Sequence, residues 1–188
     1  ELTASEQQAV YRDVGCRVVA EINRVSVATP LALVAAALLC HGGRETTGSL
    51  LAEIFNAFHD YLSYRKVKMA PTLALKDDAL TAAVQTFIQW GCLVHKEVQG
   101  EKNGAAGSYL LFDDQRLRLE YYKNNIIHHF ISLSFLATAI LACSKKVVSL
   151  SLVREDFTFL KRLFSLEFML GDDHDGELAA ALAYLRII

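Results

Sequence analysis

The sequence predicts a mainly α-helical protein: a helical domain with one β-hairpin in winged-helix-like order, then a long helix and a second helical unit. Three observations predict it. Apolar residues recur at helical spacing through most of the 188 residues. Polar or acidic capping residues stand just before several of these stretches. Near the middle, two short strand-like runs at 93–99 and 108–112 flank a loop rich in glycine, which is the pattern of a hairpin.

Residues 5–24 read as the first helix, with Val10, Val14, Arg17, Val18 and Ile22 in helical step. Thr29-Pro30 supplies an N-cap followed by proline at the first helical position. That second helix runs to about Cys40, and Gly42-Gly43 ends it. Thr46 or Thr47 caps a third helix, whose apolar stripe is Leu51, Ile54, Phe55, Phe58 and Leu62. A connector over 66–75 carries Pro71. Asp77 or Asp78 then caps a fourth helix with Leu80, Ala83, Val84, Phe87 and Ile88 turned inward, closed by Gly91. The hairpin follows over 93–112, with a flexible tip at 100–107.

Residues 114–143 read as one long helix, with Lys145-Lys146 in its last turn, where cations suit the helix dipole. Ser149 or Ser151 caps the next helix, on which Phe157, Leu160, Phe164 and Phe168 share a face. An acidic turn over 171–176 leads to a last helix from Glu177 with Leu178, Leu182 and Leu185 in step. The expected organisation is therefore a winged-helix-like unit over 1–113 and a second helical unit over 114–188. Any hairpin of that second unit would lie beyond Ile188, and both parts belong to one domain.

Composition narrows the function classes. The chain is 53% hydrophobic and 21% charged, with a mean hydropathy of +0.25. That is apolar for a soluble domain, and points to surface covered by a partner, a neighbouring domain or a membrane. The formal net charge of −2 and a pI of 6.3 argue against nucleic acid as the partner. So does the segment from Asp77 to Gly91, the third helix before the hairpin, which contains no Arg or Lys. Cys16, Cys40, Cys92 and Cys143 are widely spaced beside apolar residues, and read as buried reduced thiols. The chain opens on Glu1 and stops on an apolar run at Ile188, so both ends read as cuts through a longer protein. The run 126–143 is about long enough to cross a bilayer, but His128, His129, Ser132, Ser134 and Thr138 favour a buried core helix.

The densest chemistry lies in Tyr121-Tyr122-Lys123-Asn124-Asn125-Ile126-Ile127-His128-His129. On one continuous helix, Asn124 and His128 stand at i, i+4, as do Asn125 and His129. They would form two polar columns at the head of an apolar helix. Read from the residues, the cluster is a hydrogen-bonded network that locks the helix in place, or else a substrate contact. Asn is a poor ligand for transition metals and no Cys or carboxylate stands at ligand spacing, so no metal site is expected. Asp172-Asp173-His174-Asp175 lacks the register of a calcium loop and reads as a solvated turn. The turn 41–44 and the basic stretches at 64–68 and around Arg116, Arg118 and Lys123 read as ordinary surface. No phosphate loop, dinucleotide fingerprint or nucleophile elbow occurs in the sequence.

The segment Tyr121, Tyr122, Asn124, Asn125 and His128 resembles the Tyr-Tyr-x-Asn-Asn-x-x-His segment near the C-terminus of membrane-associated glycerol-3-phosphate acyltransferases. The order of capped helices, hairpin and motif helix resembles theirs too, as does the stretch from Ile22-Asn23 to Leu38-Leu39. The resemblance implies the C-terminal domain of an enzyme that moves an acyl chain from acyl-CoA or acyl carrier protein to glycerol 3-phosphate in phospholipid synthesis. It implies no cofactor. The implied partners are the catalytic domain of the same polypeptide and a membrane surface, at the cytoplasmic face of the cell membrane. The family's acyl transfer depends on a His-x4-Asp motif, in which the His is the general base. Five positions after the histidines here stand Thr46, Tyr64, Gly100, Leu133, Ser134 and Ala179, and none is Asp. The family's Phe-Pro-Glu-Gly motif is absent as well. No catalytic residue is therefore assigned, and the chain is expected to be inactive alone. The reading from another class is a tandem winged-helix module that binds protein or nucleic acid; a His-x4-Asp motif upstream of Glu1 would decide against it.

Overall fold

The computed structural model describes residues 3–96, 107–143, 149–165, 167–168, 170 and 173–186. The chain is mainly helical with a small antiparallel sheet, and it divides into two compact units. One unit comprises residues 27–127. The other joins residues 1–26 to residues 128–188.

The unit over 27–127 is the winged-helix-like one. Helix α2 spans Pro30–Cys40, with the Thr29 hydroxyl accepting from the Ala32 amide and Pro30 in the first turn. Every residue from Ala32 to Leu38 is buried, as expected of a helix that is apolar all round. It packs against α3 (Gly48–Tyr64), α4 (Lys76–Gln89) and α5 (Arg116–Asn124). The Thr47 hydroxyl caps α3 at the Leu50 amide. The fully buried Phe55, Tyr61 and Leu62 come from α3, and Phe87 from α4. Strands β1 (Glu45–Thr47), β2 (Leu93–Lys96) and β3 (Ser108–Leu111) form an antiparallel sheet in the order β1-β3-β2. Tyr109 thus stands opposite Thr46 on one side and His95 on the other. Gly42 and Gly91 hold φ of +69° and +70°, and each ends the helix before it.

The second unit has two parts. Helix α1, Ala4–Val25, opens with a capping box between Thr3 and Glu6 and contains no buried residue. Helices α6 (Ile131–Ala142), α7 (Leu150–Leu163) and α8 (His174–Leu185) gather around a core of Phe135, Leu136, Val153, Phe157, Leu178 and Ala181. A buried ion pair crosses this core. Lys161 of α7, 2% exposed, donates to the Glu177 carboxylate of α8 at 3.0 Å. The Ser132 hydroxyl of α6 donates to the same oxygen at 2.8 Å.

Several expectations need correction. Residues 114–143 are not one helix. Helix α5 ends at Asn124, one 3₁₀ turn spans Ile127–His129, and α6 begins at Ile131. Two successive asparagines, weak helix formers that engage backbone groups locally, mark the break. Helix α5 packs on α2 and so belongs with the hairpin unit rather than with the helices after it. Asp77 and Asp78 sit inside the first turn of α4; its N-cap is Leu75, with no side-chain cap. Helix α8 starts three residues earlier than Glu177, at His174. The three-residue strand β1 was not expected at all. Of the cysteines, Cys92 is buried but Cys40 is exposed. The hairpin tip through residue 106, the pair Lys145-Lys146, and Gly171 and Asp172 of the acidic turn lie outside the described residues.

Candidate functional site

The motif residues do not form the expected polar columns, because the chain turns between Asn124 and His128. They divide between the two units. Tyr121, Tyr122, Asn124 and Asn125 lie in the winged-helix-like unit, and His128 in the other.

Tyr122 is the structural member of the first group. Its ring stacks on Trp90 with centroids 5.8 Å apart and meets Phe87 edge-on at 5.6 Å. Phe87 is fully buried at the base of this aromatic cluster. The Arg118 guanidinium donates to the Trp90 carbonyl at 3.3 Å, which ties α5 to the end of α4 from the polar side. Tyr121 rests edge-on against Tyr122 at 5.5 Å but is 70% exposed. Asn124 and Asn125 are exposed. Their part is in the backbone turn: the Asn125 amide donates to the Tyr122 carbonyl at 3.2 Å and the Ile126 amide to Lys123 at 3.0 Å. Ile126 is then fully buried.

His128 works at the end of α1. Its Nε2 lies 3.4 Å from the Ser26 Oγ, and the Ser26 hydroxyl donates to the Asn23 carbonyl at 2.8 Å. Burial pushes the imidazole below the ordinary histidine range, and a hydrogen bond to the Asn23 backbone opposes that shift. The His129 ring lies 3.9 Å away, centroid to centroid. A serine beside a histidine invites comparison with an activated nucleophile. The Ser26 proton, however, is directed at a backbone carbonyl, so this histidine is not positioned to take it. The arrangement closes the C-terminal turn of α1, where carbonyl groups lack helical partners.

The close His–carboxylate pair among the described residues is His59 and Asp60, at 3.4 Å. His59 is only 9% exposed, and its Nε2 lies 3.2 Å from the Leu73 carbonyl. With both nitrogens so placed, it has no face for a substrate hydroxyl. Asp60 is held below the usual carboxylate range by the Lys76 ammonium, against a smaller opposing effect of burial. Among the described residues no group of three or more His, Cys, Asp or Glu side chains is gathered to hold a metal ion. Asp173, from the acidic turn, caps α8: its Oδ1 accepts from the Gly176 amide at 2.8 Å. No helix among the described residues is long and apolar enough to cross a membrane. The run 126–143 is divided by the turn before α6, whose buried residues form part of the α6–α8 core.

The family model for the glycerol-3-phosphate acyltransferase C-terminal region matches residues 1–186. The chain belongs to that family. A comparison with curated proteins finds no match. Within this acyltransferase C-terminal region, the motif that carried the resemblance marks where the chain passes from one compact unit to the other. Its aromatic half fastens α5 to α4, and its histidine fastens the end of α1.

Sequence reasoning missed a second set of residues. A groove of about 440 Å³ lies between the start of α3, helix α4 and the hairpin, with Thr81, Gln85, His95 and Tyr109 among its lining. No contiguous motif announces it, since its members come from different elements. The strand alternation around His95 and Tyr109 was the available signal.

Proposed function

We propose that this region is the non-catalytic C-terminal domain of a glycerol-3-phosphate 1-O-acyltransferase, and that it scaffolds the catalytic domain of the same polypeptide. The parent enzyme moves an acyl chain from acyl-CoA or acyl carrier protein to glycerol 3-phosphate, the entry step of phospholipid synthesis, at a membrane surface. Family membership supplies the reaction class. The observation that carries the scaffold role is α1. Val10, Val14, Val18, Ile22 and Val25 recur every three or four residues along it, and all are exposed. A helix stripe of this kind is a packing face awaiting a partner.

The histidine geometry supports the non-catalytic part. Neither the Ser26–His128 contact nor the His59–Asp60 pair offers a base to a hydroxyl substrate. A DNA-reading role is disfavoured by the exposed face of α4, formed by Asp77, Asp78, Thr81, Ala82, Gln85 and Gln89. Its lone cation, Lys76, is paired with Asp60.

The test has two arms. The purified chain, supplied with glycerol 3-phosphate and labelled acyl-CoA, should form no lysophosphatidate above background. In the complete enzyme, Val14→Glu with Val18→Glu should abolish acyl transfer while leaving the circular dichroism of the isolated region unchanged. Turnover by the isolated chain, or full activity of the doubly substituted enzyme, would overturn the proposal.

A further inference from the structure

The groove beside α4 has the make-up of a small-molecule site. Its volume of about 440 Å³ falls within the ligand-pocket range of about 300–1,000 Å³. Leu80, Val84 and Ile88 of α4 give it an apolar wall. Opposite stand two rings from the hairpin, His95 and Tyr109, paired across β2 and β3 with centroids 5.2 Å apart and planes at 35°. Gly107 is what lets the imidazole lie there. A Cβ on that residue would come 2.1 Å from the His95 Nε2.

Two properties of the lining narrow the ligand. First, among the described residues that line it there is no Asp, Glu, Lys or Arg. Lys96, the nearest lysine in sequence to His95, is engaged with Glu45 at 3.0 Å. A neutral group suits such a site better than a phosphate or a carboxylate. Second, the side chains of Thr81, Gln85, His95 and Tyr109 form no hydrogen bonds with other described residues. An apolar wall, an aromatic wall and polar groups that bond to no other described side chain together suit a flat molecule with hydrogen-bonding edges. The primary amide of Gln85 offers a donor and an acceptor side by side, which matches the paired amine and ring nitrogen of adenine. Tyr and His rings provide the stacking face that nucleobases use.

We propose that this groove is a binding site for a neutral heteroaromatic ring of the adenine type. Gln85 reads the edge of the ring, Tyr109 and His95 stack on its face, and the phosphate-bearing remainder stays outside in solvent. Two sources share that chemistry: a free adenine nucleotide, and the nucleotide handle of coenzyme A and its thioesters. The site stands on its own geometry and does not depend on the scaffold role.

Calorimetric titration of the whole chain with adenosine should give saturable binding. Gln85→Leu and Tyr109→Leu should each weaken it by about tenfold or more, the loss of one well-made contact. Gly107→Ala should weaken it severalfold by displacing the His95 ring. Thr86→Val, on the other side of α4, should change nothing. Gln85 is exposed, so its variant is expected to keep the parental circular dichroism even if Tyr109→Leu disturbs the sheet. A parallel titration separates the sources: coenzyme A binding more tightly than AMP assigns the site to a thioester carrier, and the reverse assigns it to a free nucleotide. Absence of saturable adenosine binding by the folded chain would overturn the proposal, as would binding that Gln85→Leu leaves intact. A chain that binds adenosine yet fails the acyl-transfer test would overturn the scaffold role alone.

Discussion

Helices α1 and α2 are neighbours in sequence and opposites in environment. Seven of the 11 residues of α2 are buried, whereas none of the 22 residues of α1 is. Both carry regularly placed valine, leucine, isoleucine or alanine. Burial therefore does not follow from apolar content alone. Helix α2 is apolar on every side and meets three other helices of its unit, so its surface is removed from water within the chain. Helix α1 sets a narrow Val-Ile stripe against a charged remainder, held by exposed pairs such as Asp13–Arg17 at 3.0 Å. Its first turn is capped and its last turn is closed by Ser26 and His128. The helix is secured at its ends and left open along its length. Buried and exposed apolar surface thus reside in different helices.

The largest effect should come from the buried side of that comparison. Phe87→Ala removes a fully buried ring that touches both Trp90 and Tyr122, and should cost about 3–5 kcal/mol, read as a fall in the urea midpoint. If it costs less than about 1 kcal/mol, the winged-helix-like unit is not organised around its aromatic cluster.

The α6–α8 bundle tests whether the second unit has a core of comparable weight. Glu177→Ala leaves Lys161 buried without its carboxylate and should cost about 3–5 kcal/mol, near the effect of Phe87→Ala. Replacing both residues with apolar ones, as in Lys161→Met with Glu177→Leu, should recover most of that loss, since the buried charge is then removed together with its carboxylate. Denaturation of both variants, followed by circular dichroism, makes the comparison.

A smaller effect should appear in pH dependence. The His128 imidazole titrates below its unperturbed value of 6.5 because it is half-buried. The unfolded chain therefore takes up that proton first as pH falls. The contribution of His128 to stability is complete above pH 6.5 and is lost as pH drops through and below that value. The charged groups nearest in sequence on α1 are Glu21 and Arg24, paired with each other at 2.7 Å, and the ring beside it is His129. His128→Gln should flatten the dependence of the urea midpoint between about pH 7.5 and 5. An unchanged slope would assign the dependence to another group.

The smallest effect is the most telling for α1. Val14→Ala and Val18→Ala should change the stability of the isolated chain by no more than about 0.5 kcal/mol, because both side chains already face water. A loss above about 1.5 kcal/mol would mean that the stripe is covered within this chain.

Much of the fold was legible because short-range signals and long-range packing agree in it. The Thr29-Pro30 start of α2, the stripe of α3 and the two hairpin strands each show a period or a cap that tertiary contacts then reinforce. Strand β1 was not legible: three residues are too few to show alternation, and Glu45-Thr46-Thr47 pairs only because β3 presents a free edge. The long apolar run after Asn125 concealed a turn, since apolar content continues through Ile126 and Ile127 while the backbone changes direction. The motif was visible, but its division was not. Tyr122 and His128 are six positions apart and belong to different units, and nothing in their spacing says so. The groove at Gln85, His95 and Tyr109 was invisible for a related reason, as side chains from separate elements converge only once the sheet is formed.

Trp90 is the single tryptophan of the chain, and its indole stacks on Tyr122, a residue of the family motif. Its emission is therefore an intrinsic optical reporter of one contact, the seam between the end of α4 and α5. Loosening of that seam by a docking partner, a denaturant or a substitution will shift the colour and yield of that fluorescence, with no label attached to the protein.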